Sequence, residues 1–258
     1  MKNLFSKLLM PVIALTVVSC SNQEEPIQKA DTRATNTSVT EILNITYKGK
    51  CYKSIPTTYD ENGEFVFLND EFATLYSTEI AMLPGLSIFV TDANNIEFYS
   101  TLNETLEKKE LKLIKNIKLN SILTRAGGIV GEVDLFDDTG CKDRHFSFSI
   151  TENSPENKIA DLKQSPYKFN DKCSALTLTN NLPNVHDQTV LLNGYPRPCA
   201  DVSVVFVGYD DKYFTDRTIV CVAESSQHNT YNSLPGFNDK LSSFKLFLAE
   251  DGQYYTHF

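Results

Sequence analysis

The pattern Phe-Asn-Asp-Lys-x-Ser occurs twice in this 258-residue chain, at Phe169–Ser174 and again at Phe237–Ser242. Two occurrences mean two copies of one supersecondary unit, which limits the fold before any strand is drawn. The copies align further. Phe136-Asp137-Asp138 matches Tyr209-Asp210-Asp211, and seven residues after each aromatic stands Asp143-Arg144 or Asp216-Arg217. Phe146, Phe148 and Ile150 share the parity of Ile219, Cys221 and Ala223, and Leu176 and Leu178 that of Phe244 and Leu246. Each copy therefore holds about four short strands of period-two patterning. Two such copies predict a sandwich of two sheets.

These residues resemble the βγ-crystallin family of paired Greek-key motifs. The resemblance covers about 128–252, with motifs at 128–181 and 201–252. The family pattern places an aromatic at the start of a folded hairpin, a glycine seven residues later, and Asn/Asp-Asn/Asp-x-x-Ser/Thr-Ser near the fourth strand. Here Phe136 and Tyr209 are the aromatics, and Asn238 to Ser243 is a complete signature. Asp143 and Asp216 stand in the glycine positions; Asp is among the few residues that tolerate a left-handed backbone. Ala175 replaces the last Ser of the first signature, and the segment between the copies, about 182–200 with Pro183, Pro196 and Pro198, is long for a family linker. The fold class expected is mainly β, a double Greek-key sandwich preceded by a small α+β domain.

The resemblance also implies a cofactor, Ca²⁺. A hard cation takes about six to eight oxygens from carboxylates, amides, hydroxyls, main-chain carbonyls and water, and Asn, Asp and Ser supply those donors. Ser174 and Ser242 share the parity of the inward-facing residues, so each hydroxyl turns in at a sandwich end within reach of the other copy's loop. The family shares ligands between motifs, which implies Asn170, Asp171 and Ser174 used crosswise with Asn238, Asp239 and Ser242. Asn-Asp ahead of a strand is also plain turn chemistry.

The first residues form an address. Lys2 and Lys7 precede a short apolar run, Leu8 to Val18, too short to span a bilayer. Thr16-Val17-Val18-Ser19-Cys20 resembles the lipobox of bacterial lipoproteins, which implies cleavage after residue 19, acylation of Cys20 and anchoring in a membrane. Residues 20–38 are polar and read as a flexible tether, with Glu24-Glu25 resembling a surface-export signal. The expected location is the cell envelope, on the outer membrane.

Residues 39–125 read as the small α+β domain. A hairpin turns at Lys48-Gly49-Lys50; Asp60 to Gly63 is a turn before the strand Phe65 to Phe67; Asn69 or Asp70 caps a helix to about Met82. A second hairpin turns at Asp92 to Asn95, and Ser100 or Thr101 caps a second helix to Glu110. Residues 111–125 are strand or linker. Tyr47, Tyr52, Tyr59, Tyr76 and Tyr99 are either a binding face or packing.

Losing Lys2 and Lys7 with the leader takes the formal net charge from −9 to −11, which argues against nucleic acid. Beyond Cys20 there are five cysteines; Cys173 and Cys221 fall on buried parity, leaving Cys51, Cys141 and Cys199 as candidates for a bridge. No catalytic motif appears among the scattered histidines, so a non-enzymatic role is expected. The chain reads as a lipid-anchored envelope protein with a calcium-binding crystallin-like domain. Its rivals are a peptidase inhibitor or interaction module, and an adhesin or glycan binder with an unknown protein or glycan partner.

Overall fold

Described in the computed structural model are residues 40–119 and 128–251; the leader, Cys20, the tether and residues 120–127 and 252–258 lie outside, as do the side chains of Arg144 and His145. The N-terminal half opens on a hairpin of β1 (Glu41–Tyr47) and β2 (Lys50–Tyr59). Lys48 and Gly49 turn it with φ of 50° and 76°, the paired positive values that a two-residue type I′ turn requires. Leu43, Ile45 and Tyr47 point inward. The Asp60 carboxylate folds the next turn by accepting from the N–H groups of Asn62 and Glu64, at 2.8 and 2.9 Å, and leads into β3 (Phe65–Phe67).

Asn69 caps α1 (Asp70–Leu75), accepting from Phe72 N at 2.9 Å. The helix continues into a π-helical turn, Tyr76–Ile80. The second hairpin is β4 (Ser87–Asp92) and β5 (Asn95–Tyr99). α2 (Leu102–Lys108) is capped by Thr101, whose hydroxyl accepts from Glu104 N, while Glu104 reaches back to Ser100 N at 2.9 Å. The short strands β6 (Leu111–Leu113) and β7 (Ile117–Lys118) follow.

The first Greek key comprises β8 (Ile129–Asp138), β9 (Lys142–Thr151), β10 (Glu156–Ile159) and β11 (Ala175–Asn180). The proline-containing connection is itself folded. β12 (Thr189–Leu192) and β13 (Tyr195–Pro198) turn at Asn193-Gly194 and pair with β7 as a third, three-stranded sheet. The second Greek key comprises β14 (Val202–Asp211), β15 (Thr215–Ala223), β16 (His228–Tyr231) and β17 (Ser243–Asp251).

The two keys interlock. One sheet runs β16-β11-β8-β9, and the other contains β10-β17-β14-β15. Each copy has therefore given its third strand to the other copy's sheet: β10 pairs with β17, and β16 with β11. Leu176 and Leu178 meet Phe244 and Leu246 in the core between the sheets, all fully buried. Phe148 packs edge-on against Phe244 at 4.8 Å.

The sheet holding β14 and β15 does not stop there. β4 pairs parallel to β15 over Ser87–Val90, and the order continues β4-β5-β1-β2-β3. Phe89, Val205, Val207, Val220 and Phe247 form a second cluster on the opposite face, with Leu102 and Leu106 of α2 against it. β14 is thus covered on both faces. Its near-continuous apolar run, rather than an alternating one, is what a doubly buried strand requires.

Candidate metal centre

The two signature loops are held by the fully buried rings Phe169 and Phe237, one at the base of each. Each then turns through an Asp in the left-handed region, Asp171 with φ 53° and Asp239 with φ 56°, which Asp tolerates better than most side chains. The loops meet reciprocally. Asp171 N donates to Leu241 O at 3.2 Å, and Asp239 N to Cys173 O at 3.1 Å. Ser174 Oγ donates to Asp239 Oδ1 at 2.7 Å, and Ser242 Oγ to Asp171 Oδ1 at 3.1 Å. Even the anchoring of the serines is duplicated: Ser174 N donates to Phe136 O at 3.0 Å and Ser242 N to Tyr209 O at 2.9 Å.

Each serine thus faces the other copy's aspartate, giving two crosswise pairs. The amides are less symmetric. Asn238 Oδ1 accepts from Leu234 N at 2.8 Å, which ties it back into its own loop, whereas Asn170 Nδ2 donates to the neighbouring Asp171 carboxylate. The second folded hairpin walls the cleft at these loops with Asp210, Asp211 and Lys212. Asp143 and Asp216 both adopt the left-handed conformation, φ 67° and 69°, so the Asp-for-Gly replacements keep the hairpin geometry.

This cleft of about 430 Å³ is lined by both aspartates, Asp171 and Asp239, together with Ser242, Asp210, Asp211 and Lys240. On the first hairpin, a hydrogen bond with Asp143 and its charge, with burial, Asp137 and Asp239 adding, push the Asp138 carboxyl up. Among the described residues no three carboxylate, thiol or imidazole groups already converge as a metal set. Any ion here would take a mixed set of carboxylate, hydroxyl, amide and main-chain oxygens. That donor chemistry suits Ca²⁺ and not a softer metal.

Four residues that carry the local electrostatics were not legible as a group. Arg217 donates to Glu64 through two bonds of 2.8 Å and to Asp210 at 2.6 and 3.1 Å. Lys240, only 8% exposed, donates its ammonium to Glu64 as well. Burial pushes the Glu64 carboxyl up, but the bonds from Arg217 and Lys240 outweigh it and hold it down at about 2. The backbone is close-fitting at the same place. A Cβ on Gly63 would lie 2.8 Å from Asn238 O, and one on Gly236 2.1 Å from the Phe65 ring. The repeat register flags Arg217, and Lys240 lies inside the motif, but nothing in the sequence points to Glu64.

The remaining candidates resolve into packing. Tyr47 and Tyr76 are buried, Tyr52 and Tyr59 pack against the main core and Tyr99 against the second cluster; only Tyr47 and Tyr99 of the five line one cleft together. All five described cysteines are free. Cys173 and Cys221 are buried, as their parity requires. Cys199, a bridge candidate from sequence, is fully buried in the core too, with its thiol pushed up to about 11 by burial.

No protein-family model matches the chain, and no curated protein matches its sequence. Two solved structures resemble it. A beta gamma crystallin from Ciona intestinalis is 17% identical, covering 44% of this chain and 95% of its own, with a TM-score of 0.27. A structure described as the evolution of the eye lens beta-gamma-crystallin domain fold is 18% identical, covering 47% and 88%, with a TM-score of 0.28. Scores this low carry no weight by themselves; the strand order and the exchanged third strands do. Residues 129–251 form a βγ-crystallin-like double Greek key, whose second sheet is continued by the strands of the N-terminal half.

Proposed function

We propose that this chain is a lipid-anchored bacterial envelope protein whose crystallin-like half binds Ca²⁺ in a structural role. The observation that carries the calcium reading is the crosswise pairing of Ser174 with Asp239 and Ser242 with Asp171. It gathers hard oxygen donors from two loops that lie far apart in sequence, so an ion seated there would tie the two Greek keys together. The anchor reading rests on the lipobox-like residues ending in Cys20, and acyl chains on that cysteine would hold the chain at a membrane. Extracellular modules bind calcium with Kd of roughly 10⁻⁴–10⁻³ M. At tenfold excess over Kd one site adds about 1.4 kcal/mol. An ion of that weight stabilises a fold and does not act as a switch.

The test is a thermal melt of the chain from Ser21 onward, in EDTA and then in millimolar CaCl₂. The expected rise is roughly 3–5 °C for one site, reduced when Asp171→Ala and Asp239→Ala are combined. A melting temperature indifferent to calcium, or equally responsive in the double variant, removes the metal from this reading.

A further inference from the structure

We infer that the chain carries a metal-independent binding site for a neutral oligosaccharide, in the cleft where the start of β1 and the end of β2 meet the turns of both Greek keys. The cleft has a volume of about 420 Å³. Glu41 opens β1, and Thr58 and Tyr59 close β2. Thr139 sits in the turn between β8 and β9, and Asn232 and Ser233 follow β16. All six line the cleft. Gly140 N donates to Asn232 O at 2.6 Å, which ties the two Greek-key turns together beside it. Clefts assembled where separate parts of a fold meet are favoured places for small-ligand sites. A double Greek key alone supplies only two of these three walls; the third comes from the N-terminal half.

The ligand's chemistry follows from what the lining groups have left to offer. Glu41 is the one charged side chain on the cleft, and no Lys or Arg joins it. An anion therefore meets a like charge with no counter-charge, and a metal ion finds a single carboxylate. Glu41 Oε2 accepts from Tyr59 Oη at 2.8 Å, which leaves the second carboxylate oxygen as an acceptor. Among the described residues the side chains of Thr139, Asn232 and Ser233 spend no hydrogen bond on the protein, and Thr58 Oγ1 is buried without a partner. A buried polar atom left unpaired calls for a partner. Side-chain hydroxyls and amides both donate and accept, as does each hydroxyl of a sugar. Tyr59 adds an aromatic ring to the lining, an amphipathic surface suited to a ring that is polar at its edge and apolar on its C–H face.

The test screens the chain from Ser21 onward, in EDTA, on an array of defined neutral oligosaccharides and their sialylated and uronic-acid counterparts, and titrates the strongest binder by calorimetry. Retention of neutral members in preference to acidic ones is expected, unchanged by millimolar CaCl₂. Glu41→Gln and Asn232→Ala should each weaken binding by at least about fivefold. Thr139→Trp, which fills the cleft from an exposed turn, should abolish it. Tyr99→Phe, in the separate cleft shared by Tyr47 and Tyr99, should leave it within about twofold. Thermal melts establish that each variant is folded, and the exposed positions Thr139 and Asn232 carry the test if Glu41→Gln is not. No neutral oligosaccharide retained, a preference for the acidic members, binding only in the presence of calcium, or binding indifferent to Glu41, Asn232 and Thr139 overturns the assignment. Because the expected binding is measured without calcium, an array that retains nothing leaves the calcium reading standing.

Discussion

Replacing Glu64 by Gln removes a negative charge from between Arg217 and Lys240 and almost no volume. In the folded protein the Glu64 carboxyl sits at about 2 instead of its ordinary 4.5, a gap worth about 3.4 kcal/mol without screening. The side chain is 34% exposed, so solvent screening cuts this to roughly 2 kcal/mol. The same size follows from the other direction. Removing one partner of a fully buried ion pair costs ~3–5 kcal/mol, and this one is only partly buried. Because the folded value is depressed, the stabilisation is complete above pH 4.5 and is lost as pH falls from there to about 2. Urea unfolding should therefore show Glu64→Gln weaker by roughly 2 kcal/mol at pH 7, equivalent to about 4–8 °C in Tm. The two curves should converge as pH approaches 2. A deficit below ~0.5 kcal/mol at pH 7, or one that does not shrink on acidification, would show that the network does not hold the two halves together.

Other substitutions test the loops and the joint between the halves. Ser243 is buried, donating to Asp211 O at 2.7 Å and accepting from Phe214 N at 3.1 Å; Ser243→Ala should cost about 1–3 kcal/mol in denaturant unfolding. Gly236→Ala should cost more than about 3 kcal/mol, since it adds a clash with Phe65 to a positive φ of 66°. Gly194→Ala, with φ 90° but open space around it, should cost only about 1–2 kcal/mol; equal costs would mean that Phe65 does not pack there. Maleimide labelling of the native chain should modify Cys51 quickly and Cys173, Cys199 and Cys221 only after unfolding, because only the first is exposed. Rapid labelling of Cys221 would place it outside the core.

Local features were legible because their causes are local. Asn69 and Thr101 cap helices, Lys48-Gly49 turns a hairpin, and Asp143 and Asp216 take the left-handed backbone that a glycine usually supplies. The parity of Ser174 and Ser242 was enough to bring each toward the other copy's loop. Partner choice was not legible. Period-two patterning states which face a residue occupies, not which strand lies beside it, so the exchange of β10 and β16 left no mark. The parallel pairing of β4 with β15 is hidden for the same reason. Glu64 meets an arginine 153 residues away, and a lone surface-type carboxylate after a turn carries no sign of that partner.

The calcium reading stands or falls on where an ion sits. Crystals of the chain from Ser21 onward, grown in millimolar CaCl₂, can be measured at a wavelength where calcium scatters anomalously. The expected result is an anomalous peak within ~2.3–2.6 Å of the oxygens of at least one crosswise pair, Ser174 with Asp239 or Ser242 with Asp171. Ordered loops with no such peak at either pair would leave the paired Asp and Ser residues as turn chemistry alone, and the crystallin-like half as a metal-free scaffold.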